Sequence, residues 1–131
     1  MAWIFSSDRP IYLQLTDRVI SGILTGEYPM GSKLPSVREF AEIASVNPNT
    51  VQRALAELEA VGLIDNQRTT GKFVTEEEER ITMAREKRGS ALARDFLKNM
   101  TDLGYDSDQV SQLLREAQEE KEEDEDGYAG Y

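Results

Sequence analysis

The chain has 131 residues, 39% of them apolar and 31% charged, which suits one ordinary domain with an appendage. It contains no cysteine and no histidine. This excludes disulfides, thiolate metal sites and cysteine nucleophiles, and it removes the usual general base and the commonest zinc ligand. Without those residues a nucleophile–base pair would need an unusual Ser–Lys arrangement, so the chain reads as a non-enzyme with no cofactor and no metal. No apolar stretch approaches the ~20 residues that cross a bilayer. The first residues, MAWIFSSDRP, lack a basic n-region and a small-residue cleavage site. The expectation is a soluble cytoplasmic protein with no membrane partner.

The net charge of −10 argues at face value against a nucleic-acid partner. Its distribution reverses that argument. Residues 1–75 hold seven basic and eight acidic side chains, whereas residues 76–131 hold eight basic and seventeen acidic ones. The acid is therefore a property of the appendage, and whole-chain charge does not veto a local basic surface.

In chain order, the signals predict five helices and one hairpin. The first helix runs from about Pro10, suited to a first helical position, to Thr25, with Gly26 as its left-handed stop. Tyr12, Leu15, Val19, Ile23 and Leu24 form its apolar set. A turn-rich connector, GEYPMGSKLP, follows. Ser36 and Glu39 make a capping box for a second, short helix whose Val37, Phe40, Ala41 and Ala44 share one face. So short a helix persists only when packed.

Ser45 and Val46 alone separate it from a third helix, opened by Asn47 as cap and Pro48 as first residue and ended by Gly62. Val51, Ala54, Leu55, Leu58 and Val61 are its apolar face. Residues 63–67 and 72–74 read as short strands, with Arg68-Thr69-Thr70-Gly71 as the tip between them. Thr75 and Glu78 read as a second capping box opening a long fourth helix to about Met100. A fifth helix, capped by Asp106 or Ser107, carries Val110, Leu113, Leu114 and Ala117. Eight acids and one lysine between Glu116 and Asp126 predict a frayed or disordered end, and Glu122-x-Asp124-x-Asp126-Gly127 within it reads as solvated tail rather than a calcium loop.

Two short helices joined by a tight turn and followed at once by a hairpin form a winged helix-turn-helix pattern. A helix is wide enough to fill the major groove of B-DNA, and the helix before it braces it. If the third helix buries Val51, Ala54, Leu55 and Leu58, then Asn49, Thr50, Gln52 and Arg53 project from its N-terminal half. Asn and Gln can pair bidentately with adenine, and Arg with guanine. Lys33, Arg38, Arg68 and Lys72 bracket this helix in sequence as candidate phosphate contacts, and Ser36, Asn47, Thr70 and Gly71 complete the candidate DNA-binding set. The alternative is a winged-helix adaptor for a protein partner, favoured if the basic residues are dispersed or paired off by Glu39, Glu42 and Asp65.

These residues resemble the GntR family of bacterial transcription regulators. The likeness lies in Pro10-Ile11-Tyr12-Leu13-Gln14-Leu15, in residues 29–41 (PMGSKLPSVREFA), in Asn49-Thr50-Val51-Gln52-Arg53-Ala54-Leu55, in Gly62-Leu63-Ile64 and in Gly71-Lys72-Phe73-Val74. It covers roughly residues 8–75. It implies a dimeric regulator, by family default a repressor, bound to double-stranded, pseudo-palindromic operator DNA. The family's second-helix arginine falls on Arg38, its groove-reading helix on Asn47 to Gly62, and its wing glycine on Gly71. Pro48 takes a place where many members carry arginine or serine, and the wing tip is less glycine-rich and basic than usual.

Only about 55 residues follow the wing, which resembles the short YtrA-type subfamily. There a helical hairpin makes the dimer, and association with operons for ABC transporters is common. The expected organisation is a winged domain in residues 1–75, a helical dimerisation region in 76–120 and an acidic tail in 121–131. Apolar stripes that the two last helices cannot cover for one another point independently to a homodimer. Its interface would use Ile81, Ala84, Leu92, Phe96, Met100, Val110, Leu113 and Leu114. No residue pattern specifies a small-molecule effector.

Overall fold

The structure, a computed structural model, describes residues 3–129, with side chains described through residue 124. The described elements are α1 (Ile11–Thr25), α2 (Val37–Ala44), α3 (Pro48–Ala60), β1 (Ile64–Gln67), β2 (Gly71–Val74), α4 (Glu78–Asp102) and α5 (Ser107–Ala129). They fall into two compact units, residues 1–86 and 87–131, divided inside α4. Mostly helical with a small hairpin, this is the predicted fold class.

In the first unit, local chemistry sets the helix ends. Pro10 stands one place outside α1 as its cap, and its carbonyl accepts from the amides of Leu13 and Gln14. Gly26, at φ 85°, closes α1 in the left-handed conformation that costs glycine least. The Ser36–Glu39 box is complete: Ser36 Oγ accepts from the Glu39 amide at 3.1 Å, and the Ser36 amide donates to Glu39 Oε1 at 3.2 Å. Asn47 Oδ1 accepts from the Asn49 amide at 2.8 Å, with Pro48 opening α3.

These caps orient three helices whose apolar faces share one core. Leu15, Val19 and Ile23 of α1, Phe40 and Ala44 of α2, and Val51, Ala54, Leu55 and Leu58 of α3 are all buried. The Phe40 ring lies between Trp3, 6.2 Å away by ring centroids, and Tyr28, 6.1 Å away and edge-on. Trp3 also lies under the Arg18 guanidinium at 4.8 Å, while Arg18 is ion-paired with Glu27 at 3.0 Å. The hydrogen bond to Glu27 raises the Arg18 pKa further above its ordinary value.

The connector is more ordered than its glycines and prolines suggested. β1 and β2 pair antiparallel in the register Ile64–Val74 to Gln67–Gly71. Lys33 bridges Phe73 on the other side of β2, where the Leu34 amide donates to the Lys72 carbonyl at 2.8 Å and the Val74 amide to the Ser32 carbonyl at 2.9 Å. Residues 32–34 therefore flank the wing as a third, minimal strand and satisfy its open edge.

Two further expectations need correction. Thr75 does not form a capping box with Glu78. Its amide donates to the Leu63 carbonyl at 2.9 Å and its hydroxyl accepts from the Glu77 amide at 3.1 Å, so it ends the hairpin and α4 begins at Glu78. Ile81 and Ala84 were expected on a dimer surface. Ile81 is instead 8% exposed within the core of the first unit, with Ala84 packed against that core. The first turns of α4 thus complete the winged unit, where Arg80 also donates to the Gly62 carbonyl at 3.2 Å and Arg85 to the Leu24 carbonyl at 2.6 Å.

In the second unit the cap of α5 is Asp106. Its carboxylate accepts from the Gln109 amide at 2.9 Å, and Gln109 Oε1 accepts from the Asp106 amide at 2.9 Å. The backbone of α5 continues as helix through the acidic stretch to Ala129, where fraying or disorder was expected. Glutamate, lysine and alanine are strong helix formers, which accounts for the continuation. The calcium-loop resemblance at residues 122–127 lies partly outside the residues with described side chains. Among the described residues, no helix is long and apolar enough to cross a membrane.

Gly22, buried in α1, offers a test of the core. A Cβ there would stand 2.5 Å from Tyr28 Cε2 and 2.6 Å from Cδ2. Alanine normally gains up to ~1 kcal/mol over glycine in a helix. Overpacking costs ~1–3 kcal/mol, and the Tyr28 ring is held against Phe40, so the clash wins. Gly22→Ala should lower stability by about 1–2 kcal/mol in urea unfolding; a gain would show that Tyr28 swings away freely.

Candidate nucleic-acid interface

The underside of α3 is buried through Val51, Ala54, Leu55 and Leu58, while Asn49, Gln52 and Arg53 are exposed and Thr50 is half-buried. Burial of the apolar face thus turns the polar front edge outward. That edge lies at the N-terminal end of the helix, where the helix dipole favours an anion, although Asn47 already accepts from the Asn49, Thr50 and Val51 amides.

The start of α2 and the wing line a groove of about 380 Å³, which includes Lys33, Ser36, Arg68, Thr70, Gly71 and Lys72. Six of the twelve candidate DNA contacts are therefore gathered by one concavity. A second recess of about 360 Å³ is lined by Ile11, Tyr12, Asn49, Thr50 and Arg53. Arg38 is exposed on α2. Among the described residues, none is ion-paired with Lys33, Arg38 or Arg68. Glu39 is occupied by its cap, and Glu42 and Asp65 form no ion pair with these basic side chains, so the pairing-off that would favour an adaptor does not occur at these three positions.

The structure qualifies several of the assignments. Lys72, expected as a phosphate contact, is bound through Nζ to Glu59 Oε1 at 2.8 Å, with both side chains largely shielded from solvent. It ties β2 to α3 and holds the wing against that helix. Glu59, in the C-terminal half of α3, thereby neutralises one member of the basic set. Ser36 and Asn47 spend an acceptor each on their helix caps. Thr70 Oγ1 donates to Gln67 Oε1 at 2.9 Å and closes the wing tip. Gly71 has φ 117°, and a Cβ there would lie 3.0 Å from Lys33 Cε, so glycine serves both the turn and the close passage of the lysine stem.

One contributor to this surface was missed. Tyr12 was assigned to the apolar side of the first helix, yet its ring lies 3.7 Å beneath the Arg53 guanidinium. Neither residue's sequence context signals this, since it depends on α1 and α3 crossing.

The sequence pattern of bacterial regulatory proteins of the gntR family matches residues 11–74. Over 111 residues the chain is 35% identical to the HTH-type transcriptional regulator YhcF of Bacillus subtilis, covering 85% of this chain and 92% of that protein. The chain belongs to the GntR family. This GntR regulator is also 44% identical over 70 residues to the HTH-type transcriptional repressor YtrA of Bacillus subtilis, covering 53% of this chain and 54% of YtrA. A GntR-family regulator from Listeria monocytogenes superposes with a TM-score of 0.83 at 38% identity, over 86% of this chain and 98% of that one. The DNA-binding domain of AraR in complex with operator ORX1 matches with a TM-score of 0.52 at 25% identity, over 55% of this chain and 93% of that one. These relatives are transcription regulators rather than enzymes, and so is this GntR protein.

Proposed function

We propose that the protein is a dimeric, cytoplasmic repressor that occupies a pseudo-palindromic operator and blocks transcription by occupancy. In this reading α3 enters the major groove through Asn49, Thr50, Gln52 and Arg53. Lys33, Arg38 and Arg68 contact phosphates, assisted by Ser36, Asn47, Thr70 and Gly71. Lys72 acts from its ion pair with Glu59 as the brace of the wing. The observation that carries the reading is the outward polar edge of α3, together with a groove in the same unit lined by the unpaired Lys33 and Arg68. The operator-bound AraR domain and the repressor YtrA support DNA as the partner. Two such heads related by a two-fold axis would meet successive major-groove faces about 34 Å apart. The regulated operon, by resemblance to the YtrA type, encodes an ABC transporter.

The test is a titration of duplex DNA from the protein's own promoter region, alongside a random duplex, at several salt concentrations. Arg38→Ala and Arg68→Ala should each weaken binding to both duplexes alike. Each should also flatten the plot of log K against log salt by about 0.9, the slope that one neutralised phosphate contributes. Gln52→Ala should weaken only the promoter complex, by about 1–3 kcal/mol if it reads a base. Unchanged affinity and slope in all three variants would reject the DNA interface and favour a protein partner.

A further inference from the structure

Arg53 and Tyr12 form a contact that the groove-reading role of α3 does not require. Tyr12 sits in the first turn of α1, half-buried, and its ring carries the Arg53 guanidinium at 3.7 Å from the centroid. α1 and α3 pack extensively on each other. Ring and arginine thus stand on two helices packed against each other, and the arginine rests on the ring.

The chemistry of the pair depends on which part of the guanidinium is used. Stacking engages its face, whereas its N–H donors lie in its plane and point outward from the edge. Among the described residues, Arg53 makes no hydrogen bond or ion pair, so that edge is unused. Arg18 provides the contrast within the same unit. It too lies over a ring, that of Trp3, but its N–H groups are taken by Glu27 at 3.0 and 3.2 Å. Arg18 is bound by face and edge, which suits a structural brace. Arg53 is bound by face alone, with its donors free beside Asn49 and Thr50 in an open recess.

The geometry points to Tyr12 as a positioning residue for specificity. Its ring holds the Arg53 guanidinium in one orientation before DNA arrives, so that the bidentate edge is presented to a guanine rather than found by a flexible side chain. A long arginine side chain otherwise loses much rotamer freedom on binding, and ordering it in advance removes that cost from recognition. This inference rests on the groove-reading role proposed above, and its test separates the two.

The experiment first selects duplexes from a randomised pool with the wild-type chain, then titrates the selected duplex and a scrambled one of equal composition. Arg53→Ala should lower the ratio of selected to scrambled affinity by tenfold or more and relax preference at one base pair of each half-site. Tyr12→Leu, which keeps apolar packing but removes the ring, should lower the ratio by about three- to fivefold, at that same base pair. Tyr12→Phe should retain the wild-type ratio. In the Arg53→Ala background, Tyr12→Leu should have no further effect. Thermal melts of each variant detect loss of fold; if Tyr12→Leu melts early, the comparison of Tyr12→Phe with Arg53→Lys, which keeps charge without a planar face, decides instead. Arg53→Lys should then lose the guanine preference while Tyr12→Phe keeps it. The proposal is overturned if Tyr12→Leu weakens both duplexes equally, or if its effect persists without Arg53. It is also overturned if Tyr12→Phe is as deficient as Tyr12→Leu, or if Arg53→Lys in the fallback keeps the preference. If the wild-type chain enriches no sequence at all, the groove-reading role fails first and this inference falls with it.

Discussion

Phe40→Ala is expected to destabilise the winged unit by about 3–5 kcal/mol, the usual cost of truncating a fully buried phenylalanine. Total stabilities of natural domains are only ~5–15 kcal/mol, so this is a large share. Phe40 has no exposed surface, and its ring is contacted by Trp3 from the N-terminal segment and by Tyr28 from the connector. It thus joins stretches distant in sequence to an α2 of only eight residues. A helix that short has no independent stability, so losing its main anchor should also loosen the turn that positions α3. The chain has a single tryptophan, Trp3, and it lies beside the substituted ring. Urea unfolding followed by its fluorescence should show a lower midpoint and an altered native signal. A midpoint shift equivalent to less than about 1 kcal/mol, below the range for such truncations, would mean that the three rings do not act as one anchor.

What could be read from the sequence divides along physical lines. The helices of the winged unit were legible because their signals are local: the Ser36–Glu39 box, the Asn47-Pro48 start and Gly26 each act within one turn of chain. The buried face of α3 was legible from spacing through Leu58, and with it the outward edge of Asn49, Gln52 and Arg53, but Val61, counted on that face, lies just past the helix end and is 63% exposed. Non-local partners were not legible. Nothing around Lys72 announces that Glu59 lies across from it, and nothing in the connector announces that residues 32–34 pair with β2. Tyr12 misled for the same reason: an aromatic at helical spacing looks like core until the crossing of α1 and α3 shows that its ring supports an arginine. Ile81 and Ala84 misled in the opposite sense. Apolar spacing along a helix gives the face but not the partner, and the same stripe that leaves the winged unit near Glu86 begins by packing on it.

That stripe continues where it meets no such cover. Beyond Glu86, Leu92 is 67% exposed and Phe96 37%, with Met100 half-buried one further step of four along α4. In α5, Val110 is buried and Leu113 half-buried, while Leu114 remains exposed. Leu92 and Leu114 thus remain open to solvent in the single chain. If a second copy covers the stripe, Phe96→Asp should place an unpaired charge in an apolar interface, within a region where acids already outnumber bases. Light scattering should then find a monomer where the unsubstituted chain is a dimer. Loss of the second head removes the avidity of two linked half-sites, which is commonly worth a factor of about 10²–10⁴. Operator affinity should fall by about that factor, while binding to a single half-site is unchanged. The melting of the winged unit should not move, because Phe96 lies in the other unit. A variant that stays dimeric, or an unsubstituted chain that is monomeric at operator-binding concentrations, would refute this interface. A monomer that keeps full operator affinity would instead show that the two heads do not act together on DNA.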